Sequence, residues 1–197
     1  MDSFTYRLSM LRRDSYLERL LRLVTDDKVV FVVGVRRSGK SCLAIQFEEE
    51  LRERFDHVVR YNFETTADVQ ISAENMIDNF HKNHAKGEKY YIILDEIMRV
   101  DHWELAVNYF TENADCKLFL FSSNSRVFSD KLTAVKDDQY DVVEMLPLSL
   151  PEFISYQCFK ETTPENTPLL QKQYSRFGDK SYTIHDIYSF YTTYGGL

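Results

Sequence analysis

Residues 34–41 combine two glycines, a lysine and a serine at a spacing suited to phosphate binding. The segment fits G-x-x-x-x-G-K-[ST] and uses two of the chain's 6 glycines. Glycines let the backbone bend and point its N–H groups at an anion, while the lysine and the hydroxyl reach the terminal phosphates and Mg²⁺. The sequence therefore predicts a nucleoside triphosphate site formed by Gly34, Val35, Arg36, Arg37, Ser38, Gly39, Lys40, Ser41 and Cys42.

Two side chains of this loop are expected to do most of the chemistry. Lys40 should contact the β- and γ-phosphates, and the Ser41 hydroxyl should ligate Mg²⁺. The helix that begins near Lys40 adds the positive end of its dipole. Arg36 and Arg37 occupy variable positions and receive no separate role. Cys42 falls in the first helical turn, where its thiolate would be favoured, so we expect alkylation there to block nucleotide binding.

A second group of polar residues follows two other apolar segments. Asp95 and Glu96 come directly after residues 90–94, at the end of a predicted strand. There Asp95 can hold Mg²⁺ through its water shell and Glu96 can polarise the water that attacks the γ-phosphate, unless the two acids merely cap the loop. Asn124 follows the fourth predicted strand and can reach the γ-phosphate or that water; an ordinary Asx turn is the alternative.

The elements that must position these residues alternate between strands and helices, which predicts an α/β fold with a mainly parallel sheet covered on both faces. All 4 prolines lie from residue 147 onward, which predicts a core over 1–148 and a helical extension over 149–197. Ser149 and Glu152 form a helix-capping pattern at its start. The predicted strands cover 29–33, 58–63, 90–94, 117–121 and 141–145, and the predicted helices cover 15–24, 40–51, 68–86, 101–112, 129–136 and 184–194.

Composition excludes several classes of protein. The formal charge is −7, and residues 61–197 carry 12 Lys and Arg against 21 Asp and Glu, which argues against broad nucleic-acid binding. The 3 cysteines form no C-x-x-C pair and read as reduced thiols. We find no secretory signal and no apolar run of about 20 residues, so we expect a cytoplasmic protein without a membrane span.

Taken together, these residues resemble those of AAA-type P-loop ATPases. More narrowly, the chain resembles a prokaryotic family in which an ATPase domain precedes a C-terminal domain of unknown function. The resemblance implies ATP as the nucleotide, a strand carrying Asn124 as a polar sensor between the phosphate-loop strand and the Asp95–Glu96 strand, and a catalytic role for Glu96. The matching segments are 33–41, 61–64, 94–97, 123–126 and 144–149, together with Phe153 and 194–197.

Three departures from that family bear on function. Asp138 and Gln139 stand where the family has Gly-Arg, and Met98 replaces a common glutamine. The relatives continue past the Gly-Gly that precedes Leu197, so the extension is expected to begin a longer C-terminal region. The leading hypothesis is Mg²⁺-dependent ATP hydrolysis coupled to a conformational output. The alternative is an ATP-binding switch or assembly module with poor hydrolysis, whose partner is a second copy or another protein.

Overall fold

The computed structural model describes residues 11–64, 72–83, 87–113, 115–123, 140–178 and 180–194. They divide into two compact units, which we describe separately. The larger unit comprises residues 13–35 and 39–145, and the smaller comprises 146–194 with residues 11–12 and 36–38. The division after Met145 lies close to the boundary predicted at residue 148.

The larger unit contains a five-stranded parallel sheet in the order β2-β3-β4-β1-β5. The strand β4 lies between β1 and β3, so the strand order that the family resemblance implies is confirmed. The strands are β1 (Val29–Val33), β2 (Val58–Asn62), β3 (Tyr90–Asp95), β4 (Cys116–Ser122) and β5 (Tyr140–Glu144).

Apolar layers cover both faces of this sheet, which explains why β1 is an unbroken apolar run. Val30 and Val32 of β1 pack into one core, while Phe31 and Val33 pack into the other. All five residues of β1 are buried, as expected for a strand covered on both faces. The helices of this unit are α1 (Asp14–Arg22), α2 (Lys40–Arg52), α3 (Ala73–Asn83) and α4 (Trp103–Asn113), and a 3₁₀ turn covers Ile97–Arg99.

The start of α1 corrects one prediction. The N-cap is Arg13 and makes no side-chain capping bond, and the helix begins at Asp14, one residue before the start predicted at 15. The Arg13 carbonyl accepts hydrogen bonds from the backbone N–H of Tyr16 and Leu17, which fixes the first turn of the helix at Asp14. The predicted helix over 129–136 lies outside the described residues, as do both ends of the helix predicted over 68–86.

The smaller unit contains the two predicted helices, α5 (Leu150–Tyr156) and α6 (Ile184–Tyr194). Between them in the chain lies a three-stranded antiparallel sheet that the sequence did not predict, in the order β6-β7-β8. Its core consists of Phe153, Phe159, Tyr174, Ile184 and Ile187. The strands are β6 (Lys160–Glu161), β7 (Gln173–Ser175) and β8 (Ser181–Thr183), and a 3₁₀ turn covers Leu169–Gln171.

Within the part of the chain that the structure describes, no helix combines the length and the apolar character needed to cross a membrane.

Candidate functional site

Several of the residues singled out in the sequence lie at the carboxyl edge of the sheet. Val33 of β1 pairs with Ser122 of β4, and Asp95 of β3 pairs with Phe121 of the same strand. The chain therefore leaves β1, β4 and β3 at the same edge. In parallel α/β sheets, ligands bind at this edge. Gly34 and Glu96 are the first residues after β1 and β3.

Gly39 fixes the turn from the loop into α2. It is the N-cap of that helix and has a φ of 92° in the left-handed region, where side chains are disfavoured. A Cβ added there would lie 3.5 Å from the Met145 side chain, an ordinary contact. The backbone conformation, and not lack of space, is what favours glycine here. Arg37 also has a positive φ, of 66°.

Lys40 lies over the loop that precedes it. Its Nζ donates hydrogen bonds of 2.9 Å to the carbonyl oxygens of Gly34 and of Val35. The side chain is buried although it carries a charge. An ammonium group held at the mouth of the loop is placed to exchange these carbonyl oxygens for those of a phosphate.

Asp95 is the most strongly perturbed acid at this edge. Its side chain is fully buried, and neither carboxylate oxygen has a hydrogen-bond partner of normal geometry among the described residues. Burial raises the pKa of Asp95 to about 6; the nearby Ser41 hydroxyl opposes this rise and Glu96 adds to it. Two open carboxylate oxygens beside a serine hydroxyl form a donor set that suits Mg²⁺. These residues therefore fit the predicted metal.

Glu96 is held by the neighbouring strand. Its backbone N–H donates to the Phe121 carbonyl at 2.8 Å, and its Oε2 accepts a 3.1 Å hydrogen bond from the Ser123 hydroxyl. The residue has a φ of 56°, which is uncommon for a side chain other than glycine. It also caps the 3₁₀ turn that follows. A buried carboxylate next to Asp95 can accept a proton at this edge.

Several site residues were missed by the sequence reasoning. Ser123 was not predicted, although its neighbour Asn124 was. The signal that could have found it is the strand order, because β4 lies beside β3 and the residue just after β4 is then close to the end of β3. Asn62 pairs with Asp95 in the sheet. The positive charge of Arg60 opposes the rise in the pKa of Asp95 that burial causes. Arg60 Nε also donates a 2.6 Å hydrogen bond to Glu48.

The other predicted residues vary in placement. Val35, Arg36 and Arg37 are exposed, Ser38 is buried, and Cys42 is a half-buried free thiol.

The structure describes only one of the side chains at which this sequence differs from the family it resembles. Asn124, Asp138 and Gln139 lie outside the described residues. Met98 is half-buried, and its sulfur accepts a 3.2 Å hydrogen bond from the Ser122 hydroxyl.

A five-stranded parallel sheet in this order, with a glycine loop between β1 and α2, defines the P-loop NTPase class of α/β proteins. The model of the AAA domain matches residues 26–154, and the chain belongs to that family.

Two curated relatives are uncharacterised proteins. One, from Haemophilus influenzae, is 27% identical over 177 residues, which cover 86% of this chain and 42% of the relative. The other, from Methanocaldococcus jannaschii, is 24% identical over 159 residues, which cover 77% of this chain and 35% of the relative. The chain thus spans less than half the length of either relative.

Two solved structures are similar to parts of this chain. The Aeropyrum pernix ORC1 protein, determined in complex with DNA, superposes with a TM-score of 0.55 at 15% identity, covering 75% of this chain and 48% of that one. A DNA polymerase III gamma subunit-related protein from Thermotoga maritima gives a TM-score of 0.49 at 13% identity, covering 72% and 49%. At 15% identity, the likeness to the ORC1 protein concerns the fold alone.

Proposed function

We propose that this chain binds ATP with Mg²⁺ and hydrolyses the bond between its β- and γ-phosphates. The observation that carries the proposal is the fully buried Asp95, whose two carboxylate oxygens lack a hydrogen bond of normal geometry among the described residues. Leaving a buried carboxylate in this state is costly unless a cation compensates it. The Ser41 hydroxyl near Asp95, at the start of α2, supports a cation position beside the phosphate loop.

In the proposed reaction, the backbone N–H groups of residues 34–41 and the Lys40 ammonium bind the phosphates. Lys40 exchanges its two carbonyl partners for phosphate oxygens. Ser41 and, through water, Asp95 would hold Mg²⁺, which would neutralise negative charge on the phosphates. Glu96 accepts a proton from water as the water oxygen bonds to the γ-phosphorus and the bond to the β–γ bridging oxygen breaks, releasing ADP and phosphate.

The alternative function is an ATP-binding switch with poor hydrolysis. The sequence observation that favours it is Asp138-Gln139 in place of the family's Gly-Arg pair. The output of either function, and a partner that is a second copy or another protein, are expectations from family resemblance. The three cysteines are free thiols, which fits our expectation of a cytoplasmic location.

The test is phosphate release from ATP and Mg²⁺, with ATP binding measured in parallel. We expect Lys40→Ala to lose binding and turnover, and Glu96→Gln to keep binding while kcat falls by at least about a hundredfold. Glu112→Gln, which changes an exposed carboxylate of α4, is the control and should behave as wild type. Wild-type binding without turnover would favour the switch, and no ATP binding at all would rule out both functions.

A further inference from the structure

The backbone of Glu96 is fixed from two sides. Its N–H donates to the Phe121 carbonyl of β4 at 2.8 Å, and its own carbonyl accepts a 3.1 Å hydrogen bond from Arg99 N–H in the following 3₁₀ turn. These bonds hold the residue at a φ of 56°, a conformation that a glutamate rarely adopts without such support. The Cα position of Glu96 is therefore set by β4 as much as by β3.

The side chain of Glu96 is held by the same strand. The Ser123 hydroxyl, two residues after Phe121, donates to Oε2 at 3.1 Å. Glu96 is only 8% exposed, so this bond lies in a site with little competing water. Hydrogen bonds to a charged group in such a site are stronger and more directional than neutral ones at the surface.

The strand order shows toward which strand the Ser123 hydroxyl holds the Glu96 carboxylate. The strand β4 lies between β3 and β1, and Ser122, the residue before Ser123, pairs with the last residue of β1. A bond to Ser123 therefore draws the Glu96 carboxylate toward β1, from which the phosphate loop emerges. It draws the carboxylate away from β2, the outer strand on the other side of β3.

We propose that Ser123 is a positioning residue for Glu96. Its hydroxyl anchors Oε2 and thereby aims Oε1 at the water that attacks the γ-phosphate. This inference rests on the proposed ATP hydrolysis. A positioning hydrogen bond of this kind acts on the chemical step and not on ATP binding, so its loss changes kcat and leaves KM unchanged.

The experiment compares steady-state ATP hydrolysis by wild type, Ser123→Ala, Ser123→Thr and Glu96→Gln. We expect Ser123→Ala to lower kcat about tenfold with KM for ATP within about twofold of wild type. Ser123→Thr retains the hydroxyl and should restore most of the rate. Ser122→Ala is the matched control, since that neighbouring serine donates its hydrogen bond to the Met98 sulfur. Adding Ser123→Ala to Glu96→Gln should cause no further loss.

The possible results separate the two proposals. Absence of turnover in wild type, or full turnover in Glu96→Gln, would overturn the proposed function and this inference with it. Loss of turnover in Glu96→Gln with a wild-type rate in Ser123→Ala would overturn this inference alone. So would a faster Ser123→Ala, because the hydroxyl would then restrain Glu96 instead of aiming it. Thermal melting with and without ATP checks that each variant is folded.

Discussion

Burial of the Asp95 carboxyl makes its charged form unfavourable in the folded protein. The carboxyl is removed from water without a hydrogen bond of normal geometry to replace the lost hydration, and its pKa rises from an ordinary 3.8 to about 6. The folded protein therefore binds this proton more tightly than the unfolded chain does. Between about pH 4 and pH 6 the folded state carries more protons, so the contribution of Asp95 to stability falls as the pH rises through that window.

We expect Asp95→Asn to stabilise the metal-free protein, because the amide removes a buried charge. Above pH 6 the gain should reach up to about 3 kcal/mol in the free energy of unfolding, the equivalent of the pKa shift. At pH 5 the gain should be only about half as large, about 1.5 kcal/mol, because most of the folded wild-type protein is then already neutral at Asp95. Urea unfolding in EDTA at about pH 5 and pH 7.5 measures both values.

Asp78→Asn, on an exposed face of α3, is the control for the loss of one negative charge. A gain in Asp95→Asn that is equal at both pH values would contradict the raised pKa. Mg²⁺ should stabilise wild type more than Asp95→Asn if the carboxylate takes part in binding the metal, since only a ligand that prefers the folded state raises its stability.

At the scale of elements, the sequence predicts the larger unit closely because each signal there is long and local. The predicted and observed bounds of β1 agree at both ends, and those of β2 to β5 agree within one residue. Apolar runs of five or more residues between turn signals are enough to identify such strands. The positions of Glu96 and Lys40 after β3 and after the glycine loop could be predicted because a strand end and a loop pattern fix them within the chain.

What the sequence did not predict depends on contacts between distant segments. The strands of the smaller unit are two or three residues long, too short for an alternating pattern, and Tyr174 is the one buried residue among them. Their pairing is set by the fold and not by local propensity. Ser123 was missed for the same kind of reason, because its contact with Glu96 crosses from one strand to the next.

The cap of α5 was predicted, and it gives a test within the smaller unit. Ser149 Oγ accepts from the Glu152 N–H, while the Ser149 N–H donates to the Glu152 carboxylate at 2.7 Å. Ser149→Ala removes the first of these bonds and should cost about 1 kcal/mol. Hydrogen exchange should speed up at the amides of α5. The control is Ser155→Ala at an exposed position of the same helix, which should leave exchange unchanged or slow it. Equal exchange in the two variants would mean that the capping bond contributes nothing.

At the scale of the whole sheet, the carboxyl edge and the amino edge of the larger unit hold different groups of polar side chains. The carboxyl edge carries the candidate site, whereas the amino edge carries an ion pair whose lysine is buried. Lys117, near the start of β4, is only 1% exposed and donates hydrogen bonds to the Asp26 carboxylate and to the Lys28 carbonyl. Burial lowers the pKa of Lys117, although the bond to Asp26 opposes the shift. This pair links β4 to the turn that leads into β1.

The two partners differ in exposure, and this predicts unequal effects of removing them. Asp26→Asn leaves a buried ammonium without its counter-ion and should cost about 3 kcal/mol in the free energy of unfolding. Lys117→Met leaves Asp26, which is 36% exposed and can be hydrated, and fills the same volume with an apolar chain; its cost should be about 1 kcal/mol or less. Urea unfolding of both variants and of the double variant measures the asymmetry.

Because the pair lies at the edge opposite Lys40 and Glu96, ATP turnover per folded molecule should match wild type in both. A larger cost for Lys117→Met than for Asp26→Asn would mean that the lysine packs the core more than it pairs, and a changed kcat would mean that the amino edge is coupled to the chemistry.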